Sequence, residues 1–171
     1  DPHLKELAAQ RGFTLRAWPL DGLEDIERIV AELPQVLGSD PGNLPGRLAE
    51  ALAPRPHLEG TTALLLAPGR LAFGKGTWID ELWTRMGGSN ALAVRGWQVL
   101  SLEDLAHLAP DRIVVISDAP IDPAELAELH ALPVPAAWAG RIDTIIFPGA
   151  LLPSTSVIQT IDALGALGSG P

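Results

Sequence analysis

The chain has 171 residues, 47% of them hydrophobic, and 21 acidic residues against 12 lysines and arginines give a net charge of −9. This length suits one domain, or one domain with an appendage, and the apolar content is sufficient for a buried core. The acidic balance and the lack of a basic cluster argue against nucleic-acid binding. Without cysteine there is no disulfide or thiolate chemistry, and no apolar run is long enough for a transmembrane helix.

The first part of the chain carries helical and extended patterns. Residues 3–11 have helical spacing and end at Gly12, and residues 13–18 then alternate in the manner of a strand. A helical stretch follows, with Asp21 as its candidate N-cap and a clear amphipathic stripe. Because Pro34 has no backbone N–H, it is expected to kink or end this helix, so the sequence predicts two helical pieces.

These patterns predict three regions. Because one strand cannot form a sheet, residues 1–20 are interpreted as the remnant of another α/β lobe. Residues 21–56 form a helical connector, which ends at a proline pair. Residues 57–171 form a C-terminal α/β lobe.

The C-terminal region alternates strands and helices. In chain order the sequence predicts strand 61–67, helix 77–87, an extended piece at 98–100, helix 101–108, strand 112–117, helix 122–131, strand 142–147 and helix 154–167. This alternation is typical of a mostly parallel sheet with helices on both faces. The predicted fold class is therefore an α/β three-layer sandwich.

The candidate site lies at the carboxyl ends of the predicted strands, where open α/β sheets bind their ligands. The first strand runs into a glycine-broken loop, residues 68–77. A tryptophan that follows a glycine in a loop presents a broad aromatic face, so Trp97 is expected to join the rim. The predicted ligand-binding residues are Arg70, Leu71, Phe73, Gly74, Trp97, Ser117, Asp118, Phe147 and Gly149.

Two alternatives remain open at this point. Residues 69–76 approach the phosphate-binding pattern G-x-x-x-x-G-K-[ST], and Asp118 follows an apolar strand as a metal-binding aspartate would. However, Gly76 stands where that pattern needs a hydroxyl for magnesium. The other alternative is an interaction module that binds no small ligand. No nucleophile or metal-ligand spacing is present, so we predict neither an enzyme nor a cofactor or metal site.

The C-terminal region also resembles a known family, the substrate-binding proteins of ABC importers for cobalamin, haem and ferric siderophores. The resemblance runs through Gly74-Lys-Gly-Thr-Trp-Ile-Asp-Glu-Leu-Trp-Thr-Arg-Met-Gly-Gly-Ser-Asn90, Gly96-Trp-Gln-Val-Leu-Ser-Leu-Glu-Asp-Leu105, Ala109-Pro-Asp-Arg-Ile-Val-Val-Ile116 and Gly140-Arg-Ile-Asp-Thr-Ile-Ile-Phe-Pro148. These motifs are weak singly and specific in this order.

The resemblance implies one lobe of a two-lobed periplasmic-binding-protein fold, with the ligand held between the lobes. It implies that most of the first lobe, and any signal peptide, is missing from this sequence. The implied ligand is cobalamin, haem or a ferric siderophore, and the implied partner is an ABC transporter permease. The implied location is periplasmic, or extracellular and membrane-tethered. In similar proteins a tryptophan stands where Trp97 stands, and a glutamate at the place of Glu103 docks on the permease.

Overall fold

The computed structural model describes residues 2–16, 18, 20–38, 40, 42–53, 57–108, 110–131, 141–151 and 157–167. The helices are α1 (Pro2–Arg11), α2 (Leu23–Leu37), α3 (Leu44–Ala51), α4 (Trp78–Arg85), α5 (Leu102–His107), α6 (Pro123–His130) and α7 (Val157–Leu167). The strands are β1 (Thr62–Ala67), β2 (Leu71–Phe73), β3 (Ser89–Asn90), β4 (Trp97–Val99), β5 (Arg112–Ser117) and β6 (Ile142–Ile146).

One mixed sheet organises the described part of the chain. Its strand order is β4-β2-β1-β5-β6, and β3 pairs with β1 beside this path. The pairings of β1 with β3, of β1 with β5 and of β5 with β6 are parallel, whereas β2 is antiparallel to both β1 and β4. The parallel part therefore follows the crossover connections that the sequence predicts.

Each face of the sheet is buried against its own set of side chains. Alternate residues of β1 point to opposite faces, so Leu65 lies in one hydrophobic cluster and Leu64 in the other. The first cluster contains residues of α2, α3, α4 and α7, and the second contains residues of α5 and α6. The arrangement is helices, sheet, helices, which confirms the predicted α/β sandwich. Trp78 and Trp83 are at most 1% exposed and lie in the first cluster.

The helices α2 and α3 pack in the hydrophobic cluster on one face of the sheet. Leu23 and Ile26 of α2 are buried in the same cluster as the tryptophans of α4. Two helical pieces are present as predicted. Pro34 lies inside α2, which continues to Leu37 and is followed by Gly38, a C-cap glycine in the left-handed conformation. Of the two effects expected of Pro34, a kink or an end of the helix, the structure contradicts the second.

A carboxylate from another helix satisfies the first turn of α2. The predicted cap by Asp21 is wrong because the residue at the N-cap is Gly22, which has no side chain to accept a hydrogen bond. Instead, the Leu23 N–H donates to Glu81 Oε2 of α4 at 2.6 Å. A Cβ on Gly22 would lie 2.9 Å from Glu81 Oε1, so glycine leaves the room that this carboxylate needs.

Three local predictions differ from the structure. Residues 13–16 and Trp18 lie in no strand, since the described part of the chain offers them no partner strand. The predicted loop 68–77 contains a 3₁₀ turn, Pro68–Arg70, and the strand β2, which folds back along β1. Trp97 begins β4 rather than lying in a loop.

Of the described helices, none has both the length and the apolar character needed to cross a bilayer.

Candidate functional site

The carboxyl ends of β1, β5 and β6 form one edge of the sheet because these strands run parallel. The loops that follow β5 and β6 are joined by hydrogen bonds. The Phe147 N–H donates to the Ser117 carbonyl at 3.2 Å, and the Leu151 N–H donates to Asp118 Oδ1 at 2.7 Å. The 3₁₀ turn after β1 also contacts β5. The segments predicted to form the rim therefore lie side by side.

Arg70 occupies a strained position in this rim. Its φ is 58°, and the preceding Gly69 has a φ of 74°, so two successive residues are left-handed at the end of β1. Such a conformation is costly for a residue with a Cβ and is found most often at functional sites. The Arg70 guanidinium lies 3.7 Å from the Glu128 carboxylate of α6, and the Gly69 N–H donates to Glu125 Oε1 at 2.6 Å.

The residues after β5 and β6 contribute unequally to the exposed rim. Ser117 is 4% exposed, and its hydroxyl both donates to the Ala119 carbonyl at 2.6 Å and accepts from the Ala119 N–H at 3.2 Å. This hydroxyl stabilises a turn and is not available to a ligand. Asp118 is exposed, and Phe147 and Gly149 are half-buried. A φ of 85° at Gly149 favours glycine in that turn.

Two of the predicted aromatic residues, Phe73 and Trp97, contact each other and differ in solvent exposure. Phe73 and Trp97 are paired across β2 and β4, and their ring centroids lie 4.3 Å apart with the planes tilted by 46°. Phe73 is fully buried, so its predicted direct contact with a ligand does not fit this structure. Trp97 is 47% exposed and rests on the Phe73 ring. Phe73 therefore supports the face that Trp97 presents to solvent.

Trp97 lies beside the rim rather than on it. Val99 at the end of β4 pairs with Leu71, and the Leu100 N–H donates to the Arg70 carbonyl at 3.0 Å. Trp97 is two residues earlier, which is about 7 Å along a strand. Trp97 and the 66%-exposed Val99 share one face of this edge strand. Val99 was not among the predicted ligand-binding residues, although it alternates with Trp97 in the sequence.

Gly74 has a structural role. It is buried, and its N–H donates to the Gly96 carbonyl at 2.8 Å. A Cβ at this position would collide with the carbonyl oxygens of Val94 and Gly96. Leu71 is half-buried and packs on the first hydrophobic cluster. The accessible members of the predicted set are therefore Arg70, Leu71, Trp97, Asp118, Phe147 and Gly149.

The geometry of residues 69–76 does not fit the phosphate-binding alternative. A phosphate-binding loop needs a series of N–H groups that converge on an empty concave site. Here the N–H groups of Gly69 and Gly76 donate to carboxylates, those of Glu125 and Asp80. The N–H groups of Gly74 and Lys75 donate to carbonyls of the facing segment. These donors are occupied within the protein.

The predicted docking residue Glu103 lies on a different surface. It is exposed in the first turn of α5, which begins with a capping box between Ser101 and Asp104. Hydrogen bonds from the Ser101 hydroxyl and N–H hold the pKa of Asp104 below its ordinary value. Beside this helix runs a groove of about 430 Å³ whose lining includes Gln98, Glu103 and His107. This surface is separate from the rim.

Comparison with solved structures identifies proteins of the same fold. A periplasmic haem-binding protein from Pseudomonas aeruginosa superposes with a TM-score of 0.69 at 22% identity, over 98% of this chain and 67% of that chain. A periplasmic haem-binding protein from Roseiflexus sp. RS-1 gives a TM-score of 0.74 at 19% identity, over 98% of this chain and 71% of that chain. The periplasmic vitamin B12-binding protein of Vibrio cholerae gives 0.66 at 15% identity, over 99% and 70%.

These comparisons define a class of fold. No protein-family model and no curated protein matches the sequence. These three structural neighbours are periplasmic proteins that bind haem or vitamin B12. The chain has the fold of one lobe of such a protein, which confirms the resemblance seen in its sequence.

Proposed function

We propose that this chain is part of the solute-binding component of an ABC importer. Its ligand is a large chelate or corrinoid: haem, cobalamin or a ferric siderophore. In this proposal residues 1–20 belong to a first lobe, residues 21–56 connect the lobes, and residues 57–171 form the second lobe. The observation that most supports this ligand-binding function is the half-exposed indole of Trp97, which rests on the buried Phe73 ring in a lobe of this fold.

The chemistry of this surface suits a flat and partly polar ligand. A supported indole offers a broad apolar face at low entropic cost, because the Phe73 ring already restricts it. Val99 extends the apolar area along the same strand face. The guanidinium of Arg70 and the carboxylate of Asp118 supply charges at the rim for polar substituents of the ligand.

The proposed partner and location follow from the same class of protein. A solute-binding component delivers its ligand to a membrane permease and works in the periplasm, or outside the cell tethered to the membrane. The structural neighbours are periplasmic proteins, which supports this location. The exposed carboxylate of Glu103 is the proposed contact with the permease.

Ligand titrations test the proposed function. Hemin, cyanocobalamin and a ferric siderophore would each be added to the protein while tryptophan fluorescence is recorded. We expect saturable quenching by one of these classes, because the ligand stacks on Trp97. Magnesium with ATP is expected to cause no change, since the N–H groups of Gly69, Gly74, Lys75 and Gly76 are occupied. Saturable binding of none of the three would favour an interaction module and contradict the proposal.

A charge reversal at Glu103 is expected to reduce uptake without affecting ligand binding. Replacement of an exposed acid by lysine changes the net charge by two units, from −9 to −7. Exposed charges at a docking surface act mainly on association rate and register, so Glu103→Lys should slow uptake strongly through like-charge repulsion. The measurement is ligand uptake by proteoliposomes that contain the cognate permease and the full-length protein.

A second exposed acid provides the matched control for that experiment. Asp162 lies exposed on α7, and Asp162→Lys makes the same change in net charge. We expect normal uptake for this control and unchanged melting temperatures for both variants. If Glu103→Lys supports the same normal uptake as Asp162→Lys, Glu103 is only a residue of the first turn of α5 and not a contact with the permease.

A further inference from the structure

A small buried polar cluster connects the segments that carry the aromatic pair. The Asp80 side chain on α4 is buried, with 8% of the residue exposed. Its Oδ2 accepts from the Gly76 N–H at 2.9 Å, and its Oδ1 accepts from Asn90 Nδ2 at 2.9 Å. Asn90 Nδ2 also donates to the Phe73 carbonyl at 2.7 Å, and Asn90 Oδ1 accepts from the Leu92 N–H at 3.0 Å.

This cluster lies beside two facing stretches of chain, residues 74–76 and 94–96. Backbone hydrogen bonds join the two stretches. The Gly74 N–H donates to the Gly96 carbonyl at 2.8 Å, and the Gly96 N–H donates to the Lys75 carbonyl at 3.1 Å. Asp80 fixes the first stretch through Gly76, and Asn90 fixes the approach to the second stretch.

Trp97 immediately follows the second of these stretches. Both backbone groups of Gly96 are held by the 74–75 segment, and the Trp97 ring rests on Phe73, whose carbonyl is held by Asn90. We propose that Asp80 and Asn90 are positioning residues that set the orientation of the Trp97 indole for ligand. This inference rests on the ligand-binding role proposed for Trp97, although the positioning itself is measurable without ligand.

The identity of the two side chains follows from their partners. Both partners of Asp80 are donors, so Asp80→Asn places an amide N–H₂ against one of them. In the same way, Asn90→Asp removes both donors and sets a carboxylate against Asp80 and against the Phe73 carbonyl. Each substitution keeps the shape of the side chain and removes at least one of its hydrogen bonds, so an effect on the Trp97 orientation is not due to a change in packing volume.

Fluorine NMR on protein labelled with 5-fluorotryptophan measures the effect directly. The Trp97 resonance is assigned by its loss in Trp97→Phe, and the buried Trp78 resonance reports that the core is folded. We expect the Trp97 line to broaden and shift in both Asp80→Asn and Asn90→Asp. Hemin, cyanocobalamin or ferric siderophore, whichever binds the wild type, should bind about tenfold more weakly.

A variant at the amino ends of β1 and β5 is the control. The Asp111 carboxylate, just before β5, accepts from the N–H of Thr62, the first residue of β1, at 2.8 Å. Asp111→Ala removes a carboxylate to backbone hydrogen bond there and should leave the Trp97 resonance unchanged. An unchanged Trp97 line in folded Asp80→Asn and Asn90→Asp would overturn the positioning role. A perturbed line with unaltered ligand affinity would support the positioning and instead overturn the ligand contact of Trp97.

Acidification provides a second test if Asn90→Asp does not fold at neutral pH. Once the introduced carboxyl is protonated, it regains one O–H donor for Asp80 or for the Phe73 carbonyl. Partial recovery of the Trp97 line at mildly acidic pH, relative to wild type at the same pH, supports the proposal. A folded protein at that pH whose Trp97 line stays perturbed would contradict it.

Discussion

Trp97→Ala is expected to weaken ligand binding about thirtyfold while leaving the protein folded. Truncation of an aromatic anchor in an interface costs about 2 kcal/mol, and each factor of ten corresponds to about 1.4 kcal/mol. The ring is 47% exposed, so its loss removes little core packing beyond its contact with Phe73. Isothermal titration of wild type and variant with the same ligand measures the ratio.

Two further variants control for that result. Trp97→Phe retains an aromatic face on the Phe73 ring and should lose less affinity than the alanine variant. Trp18→Ala removes the partly buried tryptophan before α2, whose indole N–H donates to Glu32, and should not affect ligand affinity. If Trp97→Ala lowers the melting temperature but retains full affinity per folded molecule, Trp97 is a support of the edge strand and not a ligand contact.

Gly74→Ala is expected to destabilise the protein by roughly 2–3 kcal/mol, the upper range for forcing an extra methyl into a packed site. The new Cβ would collide with the carbonyl oxygens of Val94 and Gly96. Backbone atoms cannot move aside as a flexible side chain does, so the 74–76 and 94–96 segments must separate. A fall in melting temperature of roughly 5–10 °C is expected for a chain of this length.

A second glycine with no such neighbours provides the control for chain entropy. Gly165 lies in α7, and a Cβ there would make an ordinary contact at 3.5 Å with His57 Nε2. Since glycine inside a helix is less favourable than alanine by roughly 0.5–1 kcal/mol, Gly165→Ala should be neutral or stabilising. Equal effects of the two substitutions would show that the close approach at Gly74 is not the cause.

The sequence predicted the long elements well and the short ones poorly. The predicted strand 112–117 coincides with β5, because its continuous apolar run is typical of a strand buried on both faces. The strand β4 was predicted one residue late, as the extended piece 98–100, and β2 was not predicted because its three residues are too few for alternation to be visible. Their formation depends on pairing with β1 and with each other, which is a tertiary effect.

The sequence predicted which segments come together at the candidate site but not which of their side chains are exposed. The glycine-broken segment after β1 and the tryptophan after Gly96 do meet, through Phe73. Phe73 is buried and Trp97 exposed because β2 lies between β1 and β4 whereas β4 is the edge strand, and this strand order is not visible in the sequence. Asp80 and Asn90 were missed because their spacing resembles ordinary helix and turn chemistry, and only the folded chain brings them together.

A crystal structure of the protein with the ligand that binds it would show whether Trp97 is a ligand contact. We expect the flat part of the ligand to lie on the Trp97 indole at van der Waals distance, about 3.5–4 Å, and to reach toward Arg70 and Asp118. A ligand bound elsewhere would contradict this contact, for example in the groove of about 320 Å³ between α2 and α3 that is lined by Glu27, Val30 and Leu48.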